Sequence, residues 1–267
     1  MSAMVVKADM LGGLIYAAMV AYLAAFVALA RKRARAGGTL FSLGCVLCLG
    51  AILTCWLQAG HPPLQNLFGV FLCLGALAYP LSVFWRRVLR VAGSPADALM
   101  GFVLLFPVGF EFQPDPVGLP PALQSPLLVL HVGAYMLAYV VLFKAGLQAV
   151  TGLVGKGAPA EDGAVGPQEA TWRLVRLGFP LLTLGLVLGA VWGKAAWGDY
   201  WQWDPKELWS LAMWLVYVAY FQVRRMFGER RPRLSSALVL GGAVVIVITL
   251  SWVNLARLFA GKHSYAL

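Results

Sequence analysis

The residues best equipped for chemistry are the chain's 3 histidines and a dense aromatic and acidic run. His131 follows Pro126 by five residues, and His263 lies beyond the last apolar stretch. Trp192, Trp197, Tyr200, Trp201, Trp203 and Trp209 gather in one segment, residues 192–209, with Gly198 among them. Two imidazoles from separate helices beside a tryptophan-rich loop form a donor set for opposed axial ligation of a haem iron. Gly198 lets the backbone bend closely, so the aromatic side chains can pack as a platform for a flat apolar ligand. Lys194, Lys206, Arg257 and Lys262 could meet its propionates, as could the N-terminus of a helix.

Each feature also has a plainer reading. Trp and Tyr favour the headgroup level of a membrane, so the run also fits an aromatic belt. A belt spreads over many helix ends, however, whereas these tryptophans concentrate in one loop. A single histidine in an apolar protein is often a satisfied polar group. Asp204, Pro205 and Glu207 have the types and spacing of a helix start: N-cap, first helical proline and capping-box partner. His61 precedes Pro62 and Pro63, which mark a helix break; a ligand or entry role is its alternative. Cys45 and Cys48 form a CxxC, read more simply as small apolar residues of a helix than as a redox or metal pair.

The elements that position these residues follow from composition. Of 267 residues, 61% are hydrophobic and 12% charged, against about 25% charged in soluble domains. Solid apolar blocks of roughly 18–24 residues match a hydrocarbon core of about 30 Å crossed as helix, and strand-like alternation is missing. The fold class is all-α: a polytopic integral membrane protein of about eight helices. The spans run over Met10–Ala30, Leu40–Leu57, Leu64–Phe84, Ala96–Phe110, Pro126–Val150, Leu177–Ala196, Glu207–Val223 and Ser235–Leu258.

A net charge of +10 on a soluble protein would suggest nucleic acid; here the positives flank apolar blocks. Arg31, Lys32, Arg33 and Arg35 follow span one, and Arg86, Arg87 and Arg90 follow span three. Lys156, Arg173 and Arg176 follow span five; Arg224, Arg225, Arg230, Arg231 and Arg233 follow span seven. Only Lys7, Lys194, Lys206, Arg257 and Lys262 fall on the other side. The positive-inside rule therefore puts the basic loops in the cytoplasm and both termini on the outer, periplasmic face. All three histidines and the aromatic loop then share that outer face. The first apolar run is too long for a signal-peptide core and is retained as a helix. Residues 1–267 read as a single membrane domain.

The run Trp197–Glu207 resembles the tryptophan-rich WWD signature of the cytochrome c assembly family, the haem-handling CcsA/ResC and CcmC type. Its form, WGDYWQWDPKELW, is closest to the CcsA/ResC branch. The segment Gly60-His61-Pro62-Pro63-Leu64-Gln65-Asn66-Leu67 is similar to that branch's Gly-His-x-Pro-Leu-x-(Asn/Asp)-Leu, and Lys262-His263-Ser264-Tyr265 to its terminal His-Ser-Tyr. The resemblance covers the chain from about residue 56 onward. It implies a protein of a bacterial inner (plasma) membrane that binds haem b as cargo. His131 and His263 would flank the iron. Trp197, Gly198, Tyr200, Trp201 and Trp203 would hold the porphyrin, with Asp204, Pro205 and Glu207 fixing the loop and His61 nearby. It further implies delivery to an apocytochrome c or a haem carrier, and a CcsB/ResB-type membrane partner. Whether the chain is itself part of a haem lyase is left open.

The branch carries a further histidine near the inner face, where this chain has Gln222; a second, transmembrane haem site would lack that ligand. Two other classes compete. A transporter of a hydrophobic or anionic molecule would need broken helices or repeated halves, of which the sequence offers little. An accessory subunit of tetrapyrrole metabolism would leave cytochrome assembly intact when deleted.

Overall fold

The structure is a computed structural model that describes residues 7, 9–64, 66–114, 124–155 and 163–252. His263 and the tail lie outside the described residues. Eight α-helices follow in order: α1 Met10–Ala30, α2 Ala34–Ala59, α3 Leu67–Phe84, α4 Ser94–Phe110, α5 Pro126–Val154, α6 Pro167–Trp197, α7 Pro205–Phe227 and α8 Pro232–Val247. A π-helical turn extends α3 over Trp85–Leu89, and another extends α8 over Ile248–Trp252. No strand occurs among the described residues.

Six of these segments are long and apolar enough to cross a membrane: Met10–Ala30, Ala34–Ala59, Leu67–Leu89, Pro126–Val154, Pro167–Trp197 and Pro232–Leu250. The molecule is a multi-pass helical membrane protein. Ser94–Phe110 is apolar but shorter, and the more polar α7 is not among the six. The helices therefore stand where eight spans are expected, with six meeting the length and hydropathy of a crossing. Several run past the expected boundaries. α6 begins at Pro167 instead of Leu177, because Glu169 and Arg173 pair one turn apart at 2.7 Å and support its polar first turns.

The described helices fall into two compact units. The first holds α1–α4 and the second α5–α8, together with residues Leu89–Ala92. In the first unit α1 packs on α2 and α4, while α3 packs on α4 and α2. Tyr22 is its centre: fully buried, it donates a 2.9 Å hydrogen bond to the Gly75 carbonyl. Gly44 and Gly101 lie directly against its ring, leaving no room for a Cβ at either position. Small residues at close helix crossings replace the hydrophobic drive that lipid cannot supply. Asp97 of α4 is buried and accepts hydrogen bonds from Ser82 Oγ at 2.7 Å and Trp85 Nε1 at 2.9 Å. The cysteines are free; Cys45 and Cys48 are buried, and their thiols face the Ala76 carbonyl and the Tyr22 hydroxyl.

In the second unit α5 packs along α6 and on α8, and α7 packs on α8. Gly178 seats Leu142, Gly185 seats Tyr135 and Gly189 seats His131, so α5 and α6 meet through one helix's glycines and the other's large side chains.

Candidate functional site

His131 lies in the second turn of α5, half-buried. Its Nδ1 stands 2.8 Å from the Gly185 carbonyl of α6. A carbonyl only accepts, so Nδ1 carries the proton and the lone pair resides on Nε2. Metal-ligating histidines are commonly oriented through such a second-nitrogen hydrogen bond. The ring is confined on other sides as well. Trp192 stacks on it with centroids 6.0 Å apart and planes inclined by 14°, and Tyr135 meets it edge-on at 5.1 Å. A Cβ at Gly189 would stand 2.5 Å from His131 Cε1. The imidazole therefore sits in a fitted slot.

The aromatic loop joins this slot through Trp197, whose ring meets Trp192 at 4.7 Å and 68°. Trp192 is almost wholly buried at the end of α6. Trp197 is the last residue of α6, and Gly198, at φ 90°, caps it in the left-handed region that favours glycine. Its N–H donates to the Lys194 carbonyl at 3.1 Å. The remaining platform residues form a separate outward group. Tyr200 is exposed and lies 5.5 Å from the Lys194 ammonium; Trp201 and Trp203 meet edge-on at 6.0 Å. Trp203 is 67% exposed at a φ of 58°, a left-handed conformation that is strained for an aromatic residue. Such strain persists where surrounding contacts enforce it, and it clusters at functional sites.

Those contacts come from the start of α7. Asp204 is its N-cap, with the side chain accepting from Lys206 N at 2.9 Å, and Pro205 is the first helical residue. Glu207 Oε2 accepts from Asp204 N at 3.1 Å and from Gln202 N at 2.8 Å. The expected capping box is present and also grips the loop one step further back, on either side of Trp203. Burial lowers the Lys206 pKa to about 8, outweighing the opposing pull of the Asp204 carboxylate.

His61 belongs to the other unit. α2 ends at Ala59, Gly60 caps it at φ 75°, and His61 Nδ1 faces the Pro62 carbonyl at 3.2 Å. Asn66 caps α3 through Gly69 N, and Gly69 lies against the Pro63 carbonyl, so much of this segment is explained as the turn between α2 and α3. His61 also lines a cavity of about 240 Å³ with Asp9, Cys55, Gln58, Asn66 and Phe68. No cluster of three potential metal-ligating side chains occurs among the described residues.

Sequence reasoning singled out His131 and Trp197, which the structure brings together through Trp192. It missed Tyr135, Gly185 and Gly189. The spacing of the two glycines, one turn apart in α6, was the available signal.

The fold and site together define a multi-pass helical membrane protein with a histidine seated under a tryptophan-rich loop. The family described as Cytochrome C assembly protein matches residues 13–259. The chain belongs to this family, in its CcsA-type branch. It is 33% identical to the cytochrome c biogenesis protein CcsA of Synechococcus sp. (strain WH7803), covering 90% of this chain and 88% of that one. The protein of the same name from Chlamydomonas reinhardtii is 35% identical over 80% of this chain and 64% of its own. That of Guillardia theta is 34% identical, covering 84% and 83%.

Proposed function

We propose that the chain serves cytochrome c biogenesis by binding haem at the outer membrane face and presenting it for attachment to an apocytochrome c or transfer to a carrier. The observation that carries this reading is the His131 slot: Nδ1 hydrogen-bonds to the Gly185 carbonyl, which fixes the ring's orientation, and Trp192 links the ring to the aromatic loop. The residues present fit a porphyrin cargo. His131 would hold the iron from one side, and His263, outside the described residues, would be the second ligand. Trp197, Gly198, Tyr200, Trp201 and Trp203 form the shelf, while Asp204, Pro205 and Glu207 anchor it to α7. Lys194 and Lys206 would meet the propionates, and His61 would have an entry or ligand role.

In this reading the chain is a single assembly domain with eight spans and both termini outside, in a bacterial plasma membrane. A CcsB/ResB-type protein is its partner, and any lyase activity belongs to that complex. Haem supplies the iron and the vinyl groups to be attached; this chain's residues bind it, orient it and keep water from its face. The test is the haem spectrum and stoichiometry of the purified protein. His131→Ala combined with His263→Ala is expected to abolish the haem spectrum of the wild type. Unchanged content and spectrum would refute the ligand assignment.

A further inference from the structure

A second constellation lies at the opposite end of α6 and α7, away from the aromatic loop. Trp172, in the second turn of α6, has the Arg176 guanidinium 5.6 Å from its ring centroid and that of Arg224 at 5.2 Å. Two cations on one ring repel each other unless an anion lies between or beside them. Among the described residues, the carboxylates on the packed elements do not supply it. Glu169 is engaged by Arg173 at 2.7 Å. Glu229 reaches Arg224 only at 3.4 Å and is 70% exposed, where screening leaves such a pair weak.

The Arg224 side chain is only 10% exposed, yet that long contact is the guanidinium's one hydrogen bond to a described residue. A guanidinium carries five donors, and burying it with so few partners is costly. Arg176, which is exposed, has no carboxylate partner and no side-chain hydrogen bond among the described residues. The unmet demand is for several acceptor oxygens bearing negative charge, at one place.

The surroundings say what kind of molecule carries them. From Trp172 an aromatic seam runs along the α6–α7 boundary. Trp172 meets Phe221 at 5.6 Å, Phe221 meets Phe179 at 5.1 Å, and Phe179 meets Trp214 at 5.7 Å. All four rings are half-buried. Phe179 lies seven residues beyond Trp172, about 10 Å further along the helix axis. The apolar stretch of α6 opens at Leu177, just past Arg176, so in a bilayer the arginines would lie at headgroup depth and the seam within the hydrocarbon. A phosphate over an apolar groove of that polarity is the shape of one membrane component.

We propose that Arg176, Arg224 and Trp172 form a binding site for the phosphate of an anionic glycerophospholipid, with an acyl chain along the Phe221–Phe179–Trp214 seam. The site takes the lipid from the leaflet at the basic end of the molecule, and it goes beyond the haem reading and needs nothing from it. Attraction of anionic lipid by juxtamembrane basic groups is general. What is particular here is an under-satisfied, largely buried guanidinium with a lipid-facing seam attached.

The experiment reconstitutes the full chain in phosphatidylcholine vesicles containing a minor fraction of phosphatidylglycerol. It measures the motionally restricted fraction of spin-labelled phosphatidylglycerol against spin-labelled phosphatidylcholine. Selectivity for phosphatidylglycerol is expected to fall about fivefold with Arg224→Gln and further with Arg176→Gln added. It is expected to persist in Arg176→Lys with Arg224→Lys. Arg31→Gln with Arg35→Gln, basic residues elsewhere, is expected to leave it unchanged. Should Arg224→Gln fail to fold, the exposed Arg176→Gln alone carries the comparison. Equal loss in the Arg31/Arg35 variant, no loss in the Arg176/Arg224 variant, or full displacement by inorganic phosphate would overturn the proposal. So would displacement by haem, which would make the site a tetrapyrrole site instead.

Discussion

The imidazole of His131 and the bare Cα of Gly189 are in direct contact: a Cβ added at Gly189 would stand 2.5 Å from Cε1 and 2.8 Å from Nδ1. Gly189→Ala therefore has to push the ring out of its slot or part α5 from α6. Overpacking of this kind costs about 1–3 kcal/mol. The expected outcome is a folded protein, helical by circular dichroism, with reduced haem content and an altered Soret band. Gly133→Ala, on α5 with nothing near its Cβ position, serves as the control and keeps wild-type content.

Trp203 gives a prediction with two opposed signs. Its left-handed backbone costs on the order of 1 kcal/mol for a non-glycine residue. Trp203→Gly should raise the thermal midpoint in detergent while lowering haem retention, because strain is relieved as an exposed platform ring is lost. A gain in stability with haem retention unchanged would remove Trp203 from the platform.

The start of α7 is expected to behave as one unit. Asp204→Ala should cost about 1 kcal/mol as a lost N-cap. Glu207→Ala should cost at least as much, since it frees the amides of both Gln202 and Asp204. The double variant should cost clearly less than the two single losses added, because the residues share one network. Strict additivity in a denaturation cycle would argue against the box.

Lys206 supplies the pH dependence. With its pKa lowered from 10.5 to about 8, the ammonium is charged below that value and neutral above it. If it meets a propionate, haem affinity starts to fall as pH rises past about 8, and Lys206→Gln removes the fall. Stability runs the other way. The unfolded chain binds the proton that the folded chain has released, so stability increases between about 8 and 10.5. Opposite slopes in haem titration and in unfolding, over one window, are the expected signature.

The helices were legible because hydrocarbon thickness writes itself into apolar block length. α1 has the expected ends, Met10 and Ala30. The ends of α2 and α6 were not legible, since hydropathy marks where a helix meets lipid and says little about where its hydrogen bonding stops. Asp204, Pro205 and Glu207 were readable as a cap because capping is a local code. The slot around His131 was hidden for the converse reason. Gly185 and Gly189 look like ordinary packing glycines until α5 is laid beside them, and that pairing is tertiary. Trp192 looked like part of the loop, but it is a buried ring of α6 that backs the histidine.

Glu207 holds the backbone on both sides of Trp203, so the end of the aromatic loop and the first turn of α7 move as one piece. Weight placed on the outer rings cannot be absorbed by a slack connector. It tilts a rod of 23 residues whose far end carries Arg224.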